Sequence, residues 1–136
     1  MFLLDTNVIS ELRRSRPHRS VVAWFDTLPD ASLRISAVTI GEIQRGIESL
    51  SERDAKRAGE IEAWLDRLEH LYAVLPADAA VFRIHARLMR RQPTPSYEDA
   101  LIAATAIHND LIVATRNIAD FQGFDLRVVN PFDWTA

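Results

Sequence analysis

The chain has 136 residues, 48% apolar and 26% charged, the size and balance of one globular domain with its own core. Sixteen basic against nineteen acidic residues leave a net charge of −3, which argues against a strong, passive nucleic-acid binder. The absence of cysteine excludes disulfides, zinc–thiolate centres and cysteine nucleophiles, and no apolar run approaches the roughly 20 residues of a membrane span.

Phe2-Leu3-Leu4 is a short apolar run, read as a strand buried on both faces. Its end delivers Asp5 to a sheet edge, where open α/β folds place their ligands. Strand-like sequence from Phe2 leaves no room for a signal peptide, so a cytoplasmic protein is expected. Val8 to Arg14 reads as a short helix, and Arg13 to Arg19 as a basic connection, either a solvated loop or a phosphate-contacting rim. Val21, Trp24, Phe25 and Leu28 recur at i, i+3, i+4 and i+7, a second helix closed by Pro29-Asp30. Leu33 to Ser36 is a strand candidate. A helix from Ala37 to about Leu50 and another from Ser51 to His70 form an αα-hairpin. Tyr72 to Leu75 is a third strand, ended by Pro76.

Asp78 to Arg91 reads as a helix with Val81, Phe82, His85, Leu88 and Met89 inward and Arg83, Arg87, Arg90 and Arg91 on its other side. His85 in that apolar set is expected to be a core histidine. Gln92 to Pro95 is a proline-marked loop. Leu101 to Ile107 is apolar nearly all round, as in a buried helix. Leu111 to Thr115 and Leu126 to Val129 are the last strands, joined by a helical turn near Ile118. Strands alternating with helices predict one α/β domain over residues 1–136, a parallel, doubly wound sheet of about five strands between helical layers. All basic residues but Lys56 are arginine, an excess that suits bidentate phosphate contacts and that GC-rich coding also produces.

Four acids share a context. Asp5 ends the first strand, Glu42 follows Thr39 by three residues, Asp99 follows Ser96 by three, and Asp120 follows Asn117 by three. Thr39–Glu42 fits a capping box, and the other two pairs have its spacing. Caps alone explain each pair, at about 1 kcal/mol apiece. In a parallel sheet, however, strand ends and following helix starts lie on one edge, so the four acids can converge. Two unit charges roughly 4 Å apart repel by about 4 kcal/mol at an effective dielectric near 20. A hard divalent cation with oxygen ligands accounts for such a gathering, and it can activate water against a phosphoryl group. The chain has no G-x-S-x-G elbow, no P-loop, and no histidine pairing of metal-ligand type.

Leu4-Asp5-Thr6-Asn7, Gly41-Glu42, Glu98-Asp99 before Ala103-Ala104-Thr105-Ala106, Thr115-Arg116-Asn117-Ile118-Ala119-Asp120-Phe121 and Asn130-Pro131-Phe132 occur in that order. As an ordered set spanning the chain they resemble PIN-domain proteins, specifically the VapC/FitB-like toxin ribonucleases of type II toxin–antitoxin modules. The resemblance implies a PIN-like three-layer α/β/α fold with the αα-hairpin as an insertion. It also implies an endoribonuclease that uses Mg²⁺ (or Mn²⁺) to activate water. Asp5, Glu42 and Asp99 match the three central acids, and the fourth place falls to Asp120 or Asn117, with Asp120 preferred. Thr6 and Asn7 match positions that orient Asp5 or a metal-bound water. Arg116 is placed to contact RNA phosphate or to form a salt bridge at the site.

The resemblance further implies a homodimer and a cognate antitoxin, paired as a heterotetramer or larger, with an antitoxin segment in a groove near the site. The Ala37–His70 hairpin and the arginines at Arg87, Arg90 and Arg91 are candidate surfaces for antitoxin or RNA. Three other readings stand beside this one: a catalytically silent PIN-fold binding module, a receiver-like Mg²⁺-binding signalling domain, and a DNA-cutting nuclease with similar chemistry.

Overall fold

Phe2–Leu4 forms strand β1 at the centre of a five-stranded sheet in the computed structural model, which describes residues 1–135. The flanking strands are β2 (Leu33–Ser36), β3 (Ala73–Leu75), β4 (Ile112–Ala114) and β5 (Val128–Val129), in the order β3-β2-β1-β4-β5. Every pairing is parallel, with Leu4 opposite both Ile35 and Ala114. A receiver domain has the order 2-1-3-4-5. Here β1 borders β4 instead of β3, so the receiver-like reading is set aside.

Successive side chains of β1 point to opposite faces, which builds the layers. Leu4 packs with Val8, Ile9, Val21 and Trp24 and with Ile43, Ile47, Leu65 and Leu68. These come from α1 (Thr6–Glu11), α2 (Arg19–Asp26) and the hairpin of α3 (Ala37–Ser51) and α4 (Ala55–Leu71). Leu3 packs on the opposite face with Ala100, Ile102, Ala103, Ala106 and Phe121. That face is covered by α5 (Ala79–Leu88) and α6 (Tyr97–Asn109). Residues Ala100 to Ala106 of α6 are all buried, and the alanines Ala100, Ala103, Ala104 and Ala106 let the helix lie close against its neighbours. Each fully buried Leu, Ile or Val contributes roughly 1.5–3 kcal/mol, more than a cap or a surface ion pair, so the two cores dominate the fold.

Several expected boundaries shift. The first helix starts at Thr6 and ends at Glu11, because Asp5 caps it and the Arg13–Arg16 segment leaves the helix. The helix expected through Arg91 ends at Leu88, which places Arg90 and Arg91 in the turn beyond it. Phe82, expected inward, is 41% exposed and rests edge-on against His85. His85 is a buried core histidine, with Nε2 3.2 Å from the Tyr97 carbonyl oxygen. No helix among the described residues is long and apolar enough to cross a membrane.

Candidate active site

The chain runs out from β1 to β2 and β3, then returns to place β4 on the other side of β1. The switch point therefore lies between β1 and β4, the crevice where open α/β sheets bind ligands. Asp5 leaves β1 there and Thr115 leaves β4. The Asp5 N–H extends the ladder by donating to the Ala114 carbonyl at 2.9 Å.

Asp5 is only 6% exposed, and its carboxylate is held on both oxygens. Oδ1 accepts from the Thr6 N–H at 2.8 Å, capping α1. Oδ2 accepts from the Thr115 hydroxyl at 2.7 Å and the Asn7 side-chain amide at 3.1 Å. Asn7 is itself clamped, since its Oδ1 accepts from the Arg116 N–H at 3.0 Å. Burial pushes the Asp5 carboxyl above its ordinary pKa, these hydrogen bonds hold it down, and the charge of Asp120 adds to the rise.

Glu42 comes from α3. The expected Thr39–Glu42 capping box is absent: Ser36 caps α3 by accepting from the Val38 N–H, which leaves Glu42 in the second turn. Its Oε1 accepts from the Thr6 hydroxyl at 2.9 Å, and the buried Thr39 hydroxyl stands 3.3 Å from that same Thr6 oxygen. Burial raises the Glu42 pKa, Thr6 opposes the rise, and the charges of Asp5, Asp99 and Glu98 reinforce it.

Asp99 occupies the first turn of α6, where its N–H donates to the capping Ser96 Oγ at 3.1 Å, as the spacing predicts. Burial raises its pKa, with further contributions from the charges of Asp5, Asp120 and Glu98. Asp120 lies on the short 3-10 turn Ile118–Phe121, exposed at the lip of the site. Asn117 does not cap that turn with its side chain; its N–H instead donates to Thr115 Oγ1 at 3.0 Å. Asp99 and Asp120 line one cavity of about 290 Å³ together with Ser96, Arg91 and Phe124. A second cavity, about 460 Å³, opens between Thr6, Glu42 and the hairpin, with Arg13, Arg53, Arg57 and Trp64 on its walls.

The four acids thus reach one end of the sheet, where Asp5 and Asp99 feel the charge of Asp120, and Glu42 feels those of Asp5 and Asp99. Among the described residues no three His, Asp or Glu side chains stand close enough to form a ready metal cage. The donor chemistry, carboxylate oxygen throughout, fits a hard divalent cation.

The arginines divide. Arg116 stacks over the Phe132 ring at 4.5 Å, and it makes no ion pair among the described residues. Arg87 and Arg90 are exposed and away from both cavities, whereas Arg91 lines the Asp99–Asp120 cavity. Two contributors escape a reading of the sequence by residue type. Thr115 is a strand-end threonine whose importance comes only from its neighbour across the sheet. Glu98 adds charge to the cluster while its carboxylate pairs with Arg45 at 3.6 Å.

A PIN domain family model matches residues 2–124. Toxin FitB of Neisseria gonorrhoeae is 38% identical, covering 97% of this chain and 99% of its own length. VapC ribonuclease Y4jK of Sinorhizobium fredii is 34% identical over 98% of this chain and 99% of its own length. Among solved structures, the crystal structure of FitAcB from Neisseria gonorrhoeae superposes with a TM-score of 0.89 at 35% identity, covering 98% of this chain and 100% of that one. The structure of FitAB bound to a DNA fragment superposes with a TM-score of 0.88 at 33% identity, over 100% of this chain and 99% of that one.

Proposed function

This chain belongs to the PIN-domain family, and we propose that it is the toxin of a type II toxin–antitoxin pair, a Mg²⁺- or Mn²⁺-dependent endoribonuclease that hydrolyses RNA phosphodiesters. The gathering of Asp5, Glu42, Asp99 and Asp120 at the switch point carries this reading. Burial and mutual repulsion raise the pKa values of Asp5, Glu42 and Asp99, a cost that a bound cation would offset. The curated relatives are named as toxins and ribonucleases, and two of the similar structures are FitA–FitB complexes, which supports both the reaction and the partner.

Asp5, Asp99, Asp120 and Glu42 would hold the cation. When bound, it would polarise the phosphoryl group and lower the pKa of a water. Thr115 and Asn7 orient the Asp5 carboxylate and favour its ionised form against the effect of burial. Thr6 fixes Oε1 of Glu42, which leaves Oε2 to take a proton from the attacking water. The N-terminus of α6 beside Asp99 favours negative charge and suits a phosphate oxygen. The cleft between Thr6, Glu42 and the hairpin, walled by Arg13, Arg53 and Arg57, is the surface for an antitoxin segment. The working toxin is a homodimer in the cytoplasm, and it joins its antitoxin as a heterotetramer or larger.

Wild type and Asp99→Asn, incubated with mixed RNA in Mg²⁺, Mn²⁺ or EDTA, test this reading. Cleavage that needs metal and Asp99, together with a metal-induced rise in wild-type melting temperature, is the expected result. Cleavage that survives EDTA or the substitution would overturn the acidic site. Neither cleavage nor metal stabilisation in antitoxin-free protein would make the chain a silent binding module.

A further inference from the structure

Arg91 stands where a substrate strand would need a cation. It lies beyond the end of α5, partly buried, with its guanidinium 5.2 Å over the Phe124 ring. Gly123, at φ +85°, sits directly beneath: a Cβ there would overlap the Arg91 guanidinium. Phe124 and Gly123 therefore make a seat that fits a planar guanidinium, and the seat opens into the cavity that Asp99 and Asp120 line. Arg91 pairs with neither acid, nor with any other among the described residues. A side chain held only to pack would be served by an aliphatic residue, whereas an unpaired guanidinium that shares an open cleft with two carboxylates suits a bridging anion.

We propose that Arg91, seated on Phe124 and Gly123, binds a phosphodiester oxygen of the RNA strand lying in the Asp99–Asp120 cavity. The inference rests on the nuclease reading and adds a substrate-binding residue to it. Arg91 holds the strand within the cavity that Asp99 and Asp120 line, so that the phosphate meets those carboxylates in one register. Gly123 adopts a φ of +85° that favours glycine, and the missing side chain leaves room for the Arg91 guanidinium beside it.

The test measures binding of a short single-stranded RNA in EDTA, which holds turnover off, as a function of salt. Arg91→Met keeps the apolar stem and removes the charge. It is expected to weaken binding about tenfold, the loss of one charge-assisted hydrogen bond. It should also flatten the plot of log affinity against log salt by about 0.7, one phosphate contact on a single strand. Arg91→Gln, which keeps a polar end without the charge, should weaken binding and flatten the salt slope to the same extent. The rise in melting temperature with Mn²⁺ should survive in both variants, since Arg91 does not belong to the acid cluster. Unchanged affinity and salt slope in Arg91→Met, or in Arg91→Gln should Arg91→Met fail to fold, would overturn the proposal while wild-type cleavage left the nuclease reading standing. A wild type that neither binds nor cleaves RNA would overturn both.

Discussion

Replacing Thr115 by Val removes one oxygen and keeps the shape. Thr115 is fully buried, and its hydroxyl donates at 2.7 Å to Oδ2 of Asp5, which is itself 6% exposed. A hydrogen bond to an ionised acceptor contributes about 1.5–3 kcal/mol, against about 0.5–1.5 kcal/mol for a neutral pair. The same oxygen accepts from the Asn117 N–H, but Asn117 is exposed and water can replace that partner. At neutral pH, Thr115→Val should therefore cost about 2 kcal/mol. For a domain of this size that lowers the melting temperature by roughly 6–10 °C.

The pH dependence gives the stronger check. The Thr115 bond lowers the Asp5 pKa against the larger effect of burial. Without it, the carboxyl rises further and the variant binds its proton sooner as pH falls. The gap between wild type and variant is then full above the raised Asp5 pKa and narrows to about 1 kcal/mol below it, where both carboxyls are neutral. Urea unfolding in EDTA across that range measures the gap directly. A variant as stable as wild type at neutral pH, or a gap that does not change with pH, would refute the assignment of Thr115 as a group that favours the ionised form of Asp5.

In Glu42→Gln the amide oxygen keeps the Thr6 bond while the charge is lost. Because the folded-state pKa of Glu42 is raised, the folded protein binds more protons than the unfolded chain between the ordinary and raised values, so wild-type stability falls as pH rises through that window. The variant should gain on metal-free wild type as pH climbs; a constant difference in thermal unfolding would contradict the shift. Asp99→Asn should stabilise the metal-free protein by up to about 1 kcal/mol, by removing a partly buried charge and its repulsion from Asp5 and Asp120, and should abolish stabilisation by Mn²⁺ in a thermal shift assay. An unchanged Mn²⁺ response would take Asp99 out of the cation site. Ser96→Ala deletes the cap of α6 and should cost about 1 kcal/mol. Cleavage should fall more than stability alone explains, as Asp99 loses its fixed turn; cleavage equal to wild type would show that the cap only stabilises.

Much of the molecule was legible in the chain because it depends on near neighbours. The apolar run before Asp5, the helical spacing of Val21, Trp24 and Phe25, and the Ser96–Asp99 cap all act within a few residues, and each stands where the spacing predicts. Local pattern also misled. Thr39–Glu42 has the spacing of a capping box, yet Ser36 begins the helix earlier and frees Glu42 to meet Thr6. Phe82 matches the inward stripe of α5, yet it stays 41% exposed.

Sequence order and residue type by themselves determined the α/β class, the hairpin and the four candidate acids. Tertiary structure alone decided the long-range bonds that hold Asp5 and Glu42. Thr115 and Asp5 are 110 positions apart, Thr6 and Glu42 are 36 apart, and they meet only because the sheet returns β4 to the side of β1 while α3 crosses above. The seating of Arg91 on Gly123 and Phe124 has the same origin, for a guanidinium finds its partners through space, and no periodicity in the chain records a distance that closes only when the layers pack.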